Sequence, residues 1–121
     1  TVVIGTVKGD IHDIGKSIVA TMMSASGLSV HDLGVDVSSE VFIAKVKEVE
    51  ADILAMSALL PTTMPYMEKV IQETQAQGLR DKIKIMVGGA PVTPAFAQKI
   101  GADGYADDAA GAARLAIQWM G

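Results

Sequence analysis

A chain of 121 residues is long enough to bury one hydrophobic core and too short for two. Its residues are 50% hydrophobic with a mean hydropathy of +0.35, yet no apolar run approaches the ~20 residues of a membrane span, so buried parallel strands account for the excess. A net charge of −4 without a Lys or Arg cluster argues against a nucleic-acid surface, and the absence of cysteine excludes disulfides, iron–sulfur clusters and thiolate zinc sites.

The first predicted strand, Val2–Val7, is a continuous apolar run. It leads through Lys8-Gly9-Asp10-Ile11-His12-Asp13 into a predicted helix, Ile14–Ser26, that Gly27 stops. Leu28–Leu33 reads as the second strand. Ser38 or Ser39 caps a helix over Ser39–Glu50, whose Lys45, Lys47, Glu48 and Glu50 form a solvated face. The third strand, Ile53–Ser57, is followed by the loop Ser57-Ala58-Leu59-Leu60-Pro61-Thr62-Thr63 and a helix over Thr63–Gln77, ended by Gly78. Ile83–Val87 runs into Gly88-Gly89-Ala90-Pro91; Thr93 then caps Pro94–Ile100, and Gly101 stops it. A short strand, Gly104–Ala106, and a helix, Asp108–Met120, complete the alternation. Strand–helix alternation with short connections predicts one α/β domain over 1–121. It is a flavodoxin-like, Rossmann-type parallel sheet of order 2-1-3-4-5 with helices on both faces and a switch point between strands 1 and 3. No leader precedes the first strand and the chain starts at Thr1, so it reads as an excised domain whose expected location is cytoplasmic.

This topology brings Asp10-Ile11-His12-Asp13, the Ser57–Thr63 loop and Gly88-Gly89 to one edge of the sheet. Gly88-Gly89 lets a ligand approach backbone where a Cβ would collide, and small residues at three strand ends imply a cleft. Gly15-Lys16-Ser17 fits the end of the phosphate-binding pattern G-x-x-x-x-G-K-S/T, but Asp10 stands where its first Gly belongs, and two carboxylates would repel a phosphate. A phospho-accepting receiver would need an Asp at the end of strand 3, where Ser57 stands, and a Lys after strand 5, where the chain has Ala106-Asp107. Asp10 changes the reading of His12: a carboxylate on one imidazole nitrogen fixes the tautomer and raises the basicity of the other, the pattern of a metal-ligating histidine. A zinc site would need further ligands, and only His31, Asp13, Asp32 and Asp36 are on offer, with His31 reading as a surface residue. A metal that arrives in its own macrocycle needs just one. The methionines Met22, Met23, Met56, Met64, Met67 and Met86 read as core filler, and Trp119 as packing its helix on the sheet.

Gly9-Asp10-Ile11-His12-Asp13-Ile14-Gly15, Ser57-Ala58-Leu59 and Gly88-Gly89 resemble the D-x-H-x-x-G, S-x-L, G-G signature of cobalamin-binding domains. The wording Gly5-Thr6-Val7-Lys8-Gly9-Asp10-Ile11-His12-Asp13-Ile14-Gly15-Lys16 is most similar to corrinoid proteins of methyltransferase systems and to the matching domain of cobalamin-dependent methionine synthase. The resemblance covers essentially the whole chain. It implies cobalamin, as methylcobalamin and the Co(I) corrinoid, with His12 as the lower axial ligand to cobalt. Asp10 would hold His12, and Ser57 would extend the hydrogen-bond chain. The nucleotide tail would pass Ser57, Leu59, Thr63 and Gly88-Gly89, with Gly104–Ala109, including Tyr105 and Ala109, closing one side and Gly15 letting the helix start near the tail. Gly9, Ile11 and Asp13 complete the implied cofactor loop.

The implied function is methyl carriage on cobalt between a substrate:corrinoid methyltransferase and a corrinoid:acceptor methyltransferase, with a reductive activase as a further partner and neither nucleic acid nor membrane. The residues offer no acid, base or nucleophile of their own, so the domain is a carrier component and not a catalyst alone. The helical cap that usually precedes this domain in such proteins is absent from these residues. Two other readings stand beside this one: the cobalamin-binding subunit of an adenosylcobalamin-dependent mutase or a cobalamin-linked regulator, and a flavodoxin-like module with no corrin.

Overall fold

The computed structural model describes every residue from Thr1 to Gly121. Val2–Thr6 (β1) is buried at all five positions, as a strand covered on both faces must be. It leads to Ile14–Ala25 (α1), Val30–Asp32 (β2), Ser39–Val49 (α2), Ile53–Ser57 (β3), Pro65–Ala76 (α3), Lys84–Gly88 (β4), Pro94–Ile100 (α4), Gly104–Ala106 (β5) and Ala109–Met120 (α5). The sheet is parallel throughout, in the order β2-β1-β3-β4-β5. The predicted fold class and strand order therefore hold.

Alternation along the strands divides the core in two. Val3, Leu54, Met56, Ile85 and Val87 pack with Phe42, Val46, Met67, Val70 and Ile71 on the face covered by α2, α3 and α4. Val2, Ile4, Ile53, Ala55 and Met86 pack with Ala20, Met23, Ala112, Ala113 and Ala116 of α1 and α5. Half of this second layer is alanine, and it is the side on which a cleft opens. No helix is long and apolar enough to cross a membrane.

Element ends differ from the sequence reading for local reasons. Val7 makes only an isolated bridge to Val37, so β1 stops at Thr6. Leu28 bonds back to Met23 of the preceding helix, which delays β2 to Val30. A 3₁₀ turn over Arg80–Lys82 displaces β4, and pairing of Ser57 with Gly88 carries it one residue further. Thr63 lies in a turn ahead of α3, which starts at Pro65, a residue suited to a helix's first turn. Ser38 and Thr93 cap α2 and α4 as expected, accepting from Val41 N and Phe96 N. Asp108, read as the first residue of the last helix, is its cap, with Oδ1 2.6 Å from Gly111 N.

Candidate functional site

Beyond β1 the chain turns sharply, Asp10 N donating to Val7 O at 3.1 Å, and this drives the Asp10 side chain into the edge of the sheet, where it is 0% exposed. A buried carboxylate needs partners. Oδ1 accepts from His12 N at 3.1 Å and faces His12 Nδ1 at 2.8 Å; Oδ2 accepts from Leu59 N and from Thr63 Oγ1, both at 2.7 Å. Burial opposes ionisation, but the bonds from Leu59, Thr63 and His12 outweigh it and hold the carboxyl below the usual carboxylate range.

An ionised Asp10 has no proton to give, so Nδ1 of His12 is the donor, and in the neutral ring that leaves the lone pair on Nε2. The imidazole is 47% exposed. Thr6 Oγ1 fixes the backbone beneath it by donating to His12 O at 2.9 Å. Ile11 beside His12 in the chain, Ile14 and Ile18 in the first turns of α1, and Leu60 next to the Leu59 amide that binds Asp10 are exposed to 76%, 81%, 49% and 38%. Large apolar side chains left uncovered along the segments that hold His12 give this end of the molecule an apolar rim suited to binding.

Behind this rim a cavity of about 340 Å³ opens between α1 and α5. Gly15, Ser57, Leu59, Gly88, Gly89, Ala106 and Ala109 line it, over a floor of Ile4, Ala55 and Met86. At Gly89, with φ +128°, a Cβ would lie 1.9 Å from Ala58 O, and at Gly88 it would lie 2.9 Å from Ala106 O. Only glycine permits this close stacking of loops.

The expected site residues thus fall into two groups with two corrections. Gly9, Asp10, Ile11, His12 and Asp13 lie together in the loop between β1 and α1, while Gly15, Ser57, Leu59, Gly88, Gly89 and Ala109 line the cleft. Ser57 does not extend the bond chain from Asp10; Thr63 does. As the last residue of β3, in register with Thr6 and Gly88, Ser57 faces the cleft, and the loop must travel on to Thr63 before a hydroxyl meets Asp10. Thr63 accordingly sits outside the cleft. Tyr105 does as well, because strand alternation packs it in the core on the opposite sheet face. His31 belongs to no group of side chains able to hold a metal ion, and the chain has no such group anywhere. A metal can bind His12 only if its other coordination positions arrive filled.

One carboxylate-held imidazole beside an apolar, glycine-walled cleft, at the switch point of an open parallel sheet, marks an α/β cofactor-binding domain. The chain belongs to the B12 binding domain family, whose model matches residues 1–114, and cobalamin is its cofactor. It is 55% identical over 119 residues to dimethylamine corrinoid protein 3 of Methanosarcina mazei, covering 98% of this chain and 71% of that one. It is similar to a solved cobalamin-binding protein of Desulfitobacterium hafniense (TM-score 0.96, 40% identity, 99% of this chain and 58% of that one). It is likewise similar to a chain of the methanol:cobalamin methyltransferase complex of Methanosarcina barkeri (TM-score 0.91, 36% identity, 97% and 45%). Of most of the curated relatives the chain spans little over half the length, 56% and 51% in two of them.

Proposed function

We propose that this chain is the cofactor-holding part of a corrinoid protein that passes methyl groups between partner methyltransferases. The observation that carries the reading is the 2.8 Å contact between His12 Nδ1 and buried Asp10, which leaves Nε2 free at the surface. When bound, cobalamin supplies the cobalt on which a methyl group is carried. The protein's residues bind and orient. His12 Nε2 would hold the cobalt, Asp10 holds the His12 ring, and Leu59 N and Thr63 hold Asp10. The cleft lined by Gly15, Ser57, Leu59, Gly88, Gly89 and Ala109 would hold the cofactor's nucleotide tail. Ile11, Ile14, Ile18 and Leu60 offer the macrocycle an apolar seat.

Methyl transfer itself requires partners: a substrate:corrinoid methyltransferase, a corrinoid:acceptor methyltransferase and a reductive activase. The similarity to a chain of a methyltransferase complex supports this role. We place the protein in the cytoplasm, where those enzymes and their reductants work, and regard 1–121 as its cobalamin-binding domain.

Visible-absorption titration with hydroxocobalamin and methylcobalamin tests the reading. Wild type is expected to give the spectrum of an imidazole-ligated cofactor with its own base displaced, and His12→Ala to lose that signature. A wild type that binds neither form, or a spectrum indifferent to His12→Ala, overturns it.

A further inference from the structure

One buried charge, in the wall of the same cleft, has been given no role so far. The Lys16 side chain, in the first turn of α1, is 2% exposed. Its Nζ lies 2.6 Å from Asp13 Oδ1 and 2.7 and 2.8 Å from the two carboxylate oxygens of Asp32. Burial of an ammonium is costly and here works against the charge; the two carboxylates reverse the balance and raise its pKa above the ordinary lysine value.

The partners are placed where rigidity matters. Asp13 is the residue after His12 and occupies the cap position of α1, yet its side chain makes no cap bond, and its carboxylate goes to Lys16. Asp32 ends β2 and is itself fixed, its Oδ1 accepting from Gly34 N at 2.9 Å. The other end of the ligand loop is held by the same connection: Asp36 Oδ1 accepts from Gly9 N at 2.8 Å, and Asp36 N donates to Asp10 O at 2.9 Å. Asp36 holds this pose at φ +53°, a left-handed conformation that costs a non-glycine residue energy.

We propose that Lys16 is a positioning residue for the axial ligand: its bridge from Asp13 to Asp32 fixes the loop that carries His12, so that Nε2 points outward. The inference rests on the cobalamin reading for its cofactor readout, and the orientation of the ring is also measurable without cofactor. Lys16→Met removes the ammonium and keeps the stem; Asp13→Asn breaks the same bridge from a carboxylate that is 56% exposed, which spares the fold if Lys16→Met does not.

The experiment is hydroxocobalamin titration of both variants, each with and without His12→Ala, together with nitrogen NMR of the His12 ring in the cofactor-free protein. Each variant is expected to weaken cobalamin binding about 10-fold, the lower end of the loss seen when a ligand's supporting contact is removed. In the His12→Ala background neither should weaken it further. The ring is expected to pass from one tautomer, protonated at Nδ1, to a mixture. Equal losses with and without His12, or unchanged ring resonances in both variants, would make the bridge a structural ion pair only and overturn the proposal. A wild type that binds no cobalamin fails the carrier reading, and the ring resonances then decide the positioning role by themselves.

Discussion

At Asp10 a single buried carboxylate unites two segments of chain. His12 supplies two of its contacts from two residues away; Leu59 and Thr63 supply the others from 49 and 53 residues away. Thr63→Val should cost about 1.5–3 kcal/mol in urea unfolding, the worth of a hydrogen bond to a charged group. Ser57→Ala, at a side chain without a hydrogen bond to Asp10, should cost much less. Asp10 also makes stability depend on acid. Its pKa is lower folded than unfolded, so the unfolded chain takes up the proton first. Its contribution is full above the ordinary Asp value of about 3.9 and is lost as pH falls below it. Unfolding free energies measured against pH should show this loss in wild type, and Asp10→Asn should lack that component. The Asp10–His12 pair was legible in sequence because two residues of separation constrain it. The link to Thr63 was not, since Ser57, Thr62 and Thr63 all offer a hydroxyl and only the path of the loop selects one. Lys16 was hidden for a similar reason: its second carboxylate, Asp32, is brought to it by strand pairing.

Among the elements, strand order followed from apolar runs and short connections, whereas element ends depended on single bonds that no pattern encodes, such as Leu28 N to Met23 O. The loops after β3 and β4 are the least forgiving parts of the fold. Gly89→Ala would place a methyl group 1.9 Å from Ala58 O at a φ of +128°. It should cost at least about 3 kcal/mol in chemical denaturation and disturb the cleft wall. Gly27→Ala also stands at positive φ, +96°, but meets nothing within 4 Å, so its cost should stay near the 1–2 kcal/mol or so of a strained backbone alone. The contrast separates backbone strain from close packing.

Over the whole molecule, buried apolar side chains form two layers while Ile11, Ile14 and Ile18, in the loop and helix that carry and follow His12, remain uncovered. Ile14 is 81% exposed and contributes little to the free fold. Ile14→Asp should therefore change unfolding free energy by no more than about 0.5 kcal/mol, while the dissociation constant for cobalamin rises. Equal binding by this variant would remove the apolar rim from the cofactor seat. Of that rim only Ile11 was read from the sequence as part of the loop around His12; the exposure of Ile14 and Ile18 depends on how α1 sits, and Leu60 belongs to the β3–α3 loop.

The shared bonding at Asp10 also bears on how a newly made chain acquires its cofactor. The Asp-x-His stretch exists as soon as it is synthesised, but Leu59 N and Thr63 reach Asp10 only once β1 and β3 lie side by side. A chain still assembling its sheet presents an imidazole with no fixed direction. On the proposed reading, a chain whose central strands have not yet paired would hold cobalamin less firmly than a folded one.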